Sequence, residues 1–184
     1  MGPPFLRTMA ATINATLKSA TANSYVTLAE ADAYFETTPS STQWDNKQDD
    51  NKNRALITAT GWIDTLIFYG DHCDSNQALK WPRNNYQVDR VELTCSAIPN
   101  AIKKATYLLA FELANDTDAI TGSTGDTGLY KSVKLGEMEI EYNTASQAVG
   151  TVNNVFDVYP WLQSYLGPYC LGGSGSYQVR VVRG

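Results

Sequence analysis

Lys80-Trp81-Pro82-Arg83 sets an indole between two cations. A single nucleic-acid strand asks for these residue types, a π face for a base and positive groups for phosphates. On that reading Lys80, Trp81 and Arg83 contact the strand, with Trp44 and Tyr86 as further stacking rings. The same residues equally suit a loop anchor, Trp81 entering the core and Pro82 fixing the exit, which the length of the Gly70 to Arg90 connection favours. Asp71-His72-Cys73-Asp74 offers metal-ligating types, but a site needs three or four converging ligands and His72 is the sole histidine of the chain, so no metal is expected. Ser and Cys nucleophiles lack a paired base beyond that histidine, and no Gly-rich phosphate loop precedes a helix. No catalytic residue, no cofactor and no enzymatic activity are therefore expected. Glu137, Glu139 and Glu141 alternate along one strand face, either as a solvated face or as an acidic rim toward a DNA channel or a neighbouring subunit.

The elements that position these groups are mostly helical. Thr27 and Glu30 form a capping box, so a helix begins at Leu28 and turns Leu28, Ala31, Tyr34 and Phe35 to one side. Thr37 to Thr42 reads as a loop. A second helix carries Ala55, Leu56, Ala59, Trp62, Ile63, Leu66 and Ile67 on a wide apolar face, with Asp49 and Asp50 complementing its dipole. Trp62 is expected in the core, and Gly61 is tolerable there if another helix crosses closely. Pro99 opens a third helix lined by Ile102, Ala105, Leu108, Leu109 and Leu113. Val133 and Leu135 alternate in one phase, Met138, Ile140 and Tyr142 in the other, so Gly136 marks a bulge or a hairpin turn. Phe156, Trp161, Leu162, Tyr165 and Leu166 fit a last short helix between Pro160 and Gly167-Pro168.

The expected fold class is mainly α, a small helical bundle with an appended β-hairpin or bulged ribbon near 129–142 and extended terminal arms. Residues 1–22 read as an arm whose order depends on a neighbour, 23–170 as the helical domain, and 171–184 as a flexible spacer with a docking strand. In that strand Tyr177, Val179, Arg180, Val181, Val182 and Arg183 alternate; it either returns to its own sheet or adds to an edge on another protein. At 184 residues the chain buries enough surface to fold without metal or disulfide, and Cys73, Cys95 and Cys170, odd in number and far apart, are expected to be free. No run approaches the roughly 18 to 20 apolar residues of a membrane span, and Met1 to Ala20 lacks the pattern of a secretory signal. The net charge of −5 and the absence of a basic stripe fit passage of duplex DNA better than grip.

Ala22 to Phe35, Lys52, Ala55-Leu56, Ala59-Thr60 and Ile63-Asp64, Leu79 to Arg83, Ile98-Pro99, Lys131 to Gly136, Ile140 to Tyr142, Pro160-Trp161-Leu162 and Leu166 to Tyr169 follow one another in an order that resembles tailed-phage head-tail connector or adaptor proteins. Some of those proteins are labelled DnaT-like single-stranded-DNA-binding proteins. The resemblance implies a homo-oligomeric ring, a dodecamer, at the head-tail junction of a virion and assembled in the host cytoplasm. Its partners would be the portal protein, met by the 177–183 strand, and a downstream tail or nozzle protein. Genomic duplex would pass through the ring unbound. The DnaT-like label implies single-strand binding instead.

Overall fold

Thr27 opens the first helix, α1 (Leu28–Glu36), in the way its spacing from Glu30 requires: the Thr27 hydroxyl accepts the Glu30 N–H at 3.2 Å and the Glu30 carboxylate accepts the Thr27 N–H at 2.8 Å. The computed structural model describes residues 10–115, 132–135, 138–141 and 155–171. After α1 the chain turns into α2 (Ser41–Asp45), a short helix in and beyond a stretch that reads as loop, because burying Trp44 outweighs the Pro/Ser/Thr composition around it. Trp44 stacks on Phe35 at 4.5 Å between centroids, and Phe111 joins the cluster 5.5 Å from Phe35.

The centre of the bundle is α3 (Asp49–Asp64) packed on α4 (Asn100–Asn115). Ala55, Leu56, Ala59 and Ile63 of α3 meet Ile102, Ala105, Leu109 and Leu113 of α4 in one core, each large aliphatic residue stabilising the fold by roughly 1.5–3 kcal/mol. Pro99 precedes α4, and its carbonyl accepts the first helical N–H groups, from Ile102 at 3.0 Å and Lys103 at 3.2 Å. Three expectations for α3 change. The helix stops at Asp64, so Ile67 leaves the apolar face and is 64% exposed. Trp62 lies at the rim of the core, half-buried. Gly61 faces solvent, and a Cβ built on it meets nothing within 4 Å, so no helix crosses there.

Between α3 and α4 two short antiparallel ladders form, β1 (Asp71–His72) with β2 (Arg83–Asn84), and β3 (Gln87–Val88) with β4 (Val91–Glu92). Asp89 and Arg90, both at positive φ, make the two-residue turn of the second ladder. A disulfide joins Cys73 to Cys95 across Cα atoms 5.5 Å apart. The expectation of three free cysteines is thereby corrected: spacing along the chain says nothing about proximity once β1 and the approach to α4 are folded together. Cys170 alone is free, and it is buried.

Farther on, β5 (Ser132–Leu135) and β6 (Met138–Glu141) pair with Leu135 opposite Met138 and Lys134 opposite Glu139, which selects the hairpin over the bulge. The chain then forms α5 (Val155–Val158), α6 (Leu162–Leu166) and a 3₁₀ turn, Gly167–Tyr169. Leu162 and Leu166 press α6 onto the core. The segment after it is stitched to the stretch that follows α3 by Tyr69 N–H to Tyr169 O at 2.9 Å and Leu171 N–H to Ile67 O at 2.7 Å. At the other terminus Ala11 is tied to α3, its N–H donating to Asp50 Oδ1 at 2.6 Å and its carbonyl accepting from Asn53 Nδ2 at 2.9 Å. From Ala11 onward, then, the arm is held by its own chain. The mainly α architecture with a small hairpin is the one the sequence patterns indicate.

Candidate nucleic-acid interface

Lys80, Trp81 and Arg83 sit where the chain leaves α3, and all three turn inward. The Lys80 N–H donates to Asp64 Oδ1 at 2.8 Å, and its Nζ donates to the Leu66 carbonyl at 2.7 Å. Arg83 Nε donates to Tyr69 O at 2.8 Å and Nη1 to Lys80 O at 3.3 Å, while Nη2 takes the Gly70 carbonyl. Trp81 is 2% exposed, set edge-on against Phe68 and Tyr169. Gln77 completes the unit by donating to the Leu79 and Pro82 carbonyls at 2.8 and 3.2 Å. Six loop carbonyls are satisfied this way, and leaving any of them dry would cost about 1–3 kcal/mol. Gly70, at φ +78°, is obligatory in this clamp, because a Cβ there collides with the Asn84 carbonyl.

The strand-contact reading of Lys80, Trp81 and Arg83 is therefore corrected: their charges and ring are spent on the fold. Trp44, fully buried, donates its indole N–H to Asp32 Oδ1 at 2.7 Å and is equally withdrawn. Tyr86 stacks on Tyr69 at 4.7 Å with rings 18° apart. Of the acidic set, Glu139 and Glu141 lie in β6, opposite Lys134 and Ser132, and Glu137 lies outside the described residues. Tyr177, Val179, Arg180, Val181, Val182 and Arg183 also lie outside them.

A different set of rings reaches the surface. Trp62, at the end of α3, lies 6.0 Å from Tyr159; Tyr159 lies 6.2 Å from Trp161, and Trp161 lies 6.3 Å from Tyr165 on α6. All four are half-buried and packed against the core. At Tyr34 burial first, and then electrostatic repulsion from Tyr165, raise the pKa, and its ring stacks on Tyr107 at 4.9 Å. The one short helix expected to hold Phe156, Trp161, Leu162, Tyr165 and Leu166 is two, with Phe156 in α5, Trp161 at the cap of α6 and Tyr165 within α6. The signal of Trp161 and Tyr165 was a second stripe, since Leu162 and Leu166 already occupy the buried one at the same spacing of four.

The cations near these elements are mostly engaged. Lys52 pairs with Asp32, Arg54 with Asp50 and Lys103 with Glu30, at 3.1, 2.9 and 2.6 Å. Lys18, Lys47, Arg90 and Lys104 belong to four separate segments, so among the described residues no single element carries a run of unengaged cations.

Residues 9–184 match the family described as "Putative DnaT-like ssDNA binding protein". The chain belongs to that family. No curated protein and no solved structure matches it. Membership of the DnaT-like family overturns the head-tail adaptor reading: the order of short motifs that suggested a connector belongs, across nearly the whole chain, to a family described by single-strand binding. Short apolar motifs at helix starts and stops recur wherever similar helices are capped and packed, and they do not by themselves separate one assembly role from another.

Proposed function

We propose that this chain is a non-catalytic module that binds single-stranded DNA. The observation that carries the reading is the family match over residues 9–184, whose description states that activity. The physical chemistry supports a particular style of binding. With a net charge of −5, and with Lys52, Arg54, Lys80, Arg83 and Lys103 committed to ion pairs and carbonyls, the described part of the protein has fewer cations left to neutralise phosphates, the main source of duplex affinity. Bases, whose faces a single strand exposes and a duplex hides, are the better target, and solvent-facing aromatic rings are what they stack on.

Anisotropy of a labelled oligothymidylate, titrated with the full chain at low salt, tests the reading. Saturable binding that an unlabelled single strand reverses and an equal mass of duplex does not is the expected result. A flat titration, or equal competition by duplex, refutes it.

A further inference from the structure

We propose that residues 177–183 of this same chain seat in the groove beside β4 and add a strand to the open edge of the β3–β4 ladder. The groove, of about 340 Å³, is lined by the consecutive residues Val91 to Thr94, by Ile98 and Pro99 ahead of α4, and by Tyr169. That volume stands at the low end of the roughly 300–1,000 Å³ of ligand sites and suits a few side chains of an extended segment. β4 pairs with β3 alone, so among the described residues its other edge carries no strand. Such an edge takes up an added strand through main-chain hydrogen bonds while alternate side chains enter the pocket. Val91, on this edge, is 68% exposed and is the apolar surface an added strand would cover.

Charge, pattern and reach select the occupant. Asp89 and Glu92 are the charged residues of the groove wall, both exposed, and among the described residues neither is ion-paired. The charge of Asp89 is felt at Tyr169, whose pKa is raised by burial first and then by that carboxylate. The wall therefore asks for an extended segment that alternates apolar and cationic side chains, and Val179-Arg180-Val181-Val182-Arg183 does so. In an extended strand Val179 and Val181 share one face and Arg180 takes the other, the same alternation with which Val91 and Leu93 flank Glu92. Pairing the two puts valine beside valine and Arg180 within reach of Glu92. The described chain ends at Leu171, two residues past Tyr169 in the groove wall, and Gly172 to Ser176 separate it from Tyr177. Those steps span up to roughly 20 Å at about 3.3–3.6 Å per residue. Within one chain the tail thus stays at high effective concentration beside the groove. Docking of the tail does not depend on single-strand binding.

Hydrogen exchange on the full chain tests the docking. Amides of residues 177–183 are expected to exchange about tenfold or more slowly in the wild type than in an Asp89→Asn/Glu92→Lys variant, while amides of α3 and α4 keep their wild-type rates. Asn is chosen at position 89 because the backbone there has φ +51°, which Asn adopts readily. Arg180→Glu/Arg183→Glu is expected to release the same amides, and combining the two pairs of substitutions to restore their protection. Fast exchange of 177–183 in the wild type, protection that survives either variant, or a combined variant that regains none overturns the proposal. Protection that grows with protein concentration alongside a dimer in sedimentation assigns the groove to the tail of a second copy and overturns it too.

Discussion

Asp32→Ala removes a single carboxylate from α1 and should unsettle three elements at once. Asp32 Oδ1 accepts from the Trp44 indole at 2.7 Å and from Lys52 Nζ at 3.1 Å, thereby joining α1 to α2 and α3. The Lys52 side chain is 7% exposed and its ammonium lies 5.4 Å over the Trp44 ring. Without Asp32 the ammonium keeps only that ring and a marginal contact to Asp49 at 4.0 Å. Breaking a buried pair by deleting one partner costs about 3–5 kcal/mol, and the 36% exposure of Asp32 moves the expectation to the lower end or below, about 2–3 kcal/mol including the orphaned indole N–H. For a chain of this size that corresponds to a melting temperature lower by roughly 5–10 °C.

Lys52→Met should cost less than about 1 kcal/mol, because it replaces a buried charge by an isosteric apolar chain and leaves Asp32 both hydrated and bonded to Trp44. In the double variant only the indole remains unpaired, so its cost falls below the sum of the singles by about 1 kcal/mol or more. Urea unfolding of the wild type and three variants, at unchanged m-value, measures each term. Equal losses in the two single variants, or strict additivity in the double, would refute the claim that the buried ammonium is what Asp32 serves.

Gly61→Ala should raise stability by about 0.5–1 kcal/mol in the same urea assay, since the position is helical, solvent-facing and open to a Cβ. The native protein should show almost no reaction with a thiol reagent at pH 8: Cys73 and Cys95 are joined, and burial, opposed weakly by Lys80, pushes the Cys170 thiol up to about 12. Replacing Cys73 and Cys95 by Ser should lower stability by about 3 kcal/mol, the loop-closure value for a separation of 22 residues, as read from chemical denaturation. Glu30 supplies a pH test. Burial acts to raise its pKa, but hydrogen bonds from Lys103 and from the backbone and hydroxyl of Thr27 prevail and hold it below its ordinary 4.5. A folded-state pKa below the unfolded one adds stability that is present above about pH 4.5 and lost as pH falls through the depressed value. Glu30→Gln should therefore flatten the acid limb of stability against pH, and an unchanged limb would show that the capping carboxylate is not linked to folding.

Helix starts and helix faces were legible along the chain because their causes are local. The capping box at Thr27 and Glu30 and the three-and-four spacing from Ala55 to Ile63 and from Ile102 to Leu113 act within a turn or two of backbone, and they determined α1, α3, α4 and the mainly α class. The phase change at Gly136 located the β5–β6 hairpin for the same reason. What only the tertiary structure decided was the fate of side chains whose partners lie far away in sequence. Lys80, Trp81 and Arg83 look like a nucleic-acid contact until Asp64, Leu66 and Tyr69 arrive beside them, and Cys73 looks solitary until Cys95 does. Trp62 and Trp161 look like core until the narrower aliphatic stripes beside them take the interior. Periodicity fixes which way a residue points on its own element; how much room remains on that side depends on what the rest of the chain has already placed there.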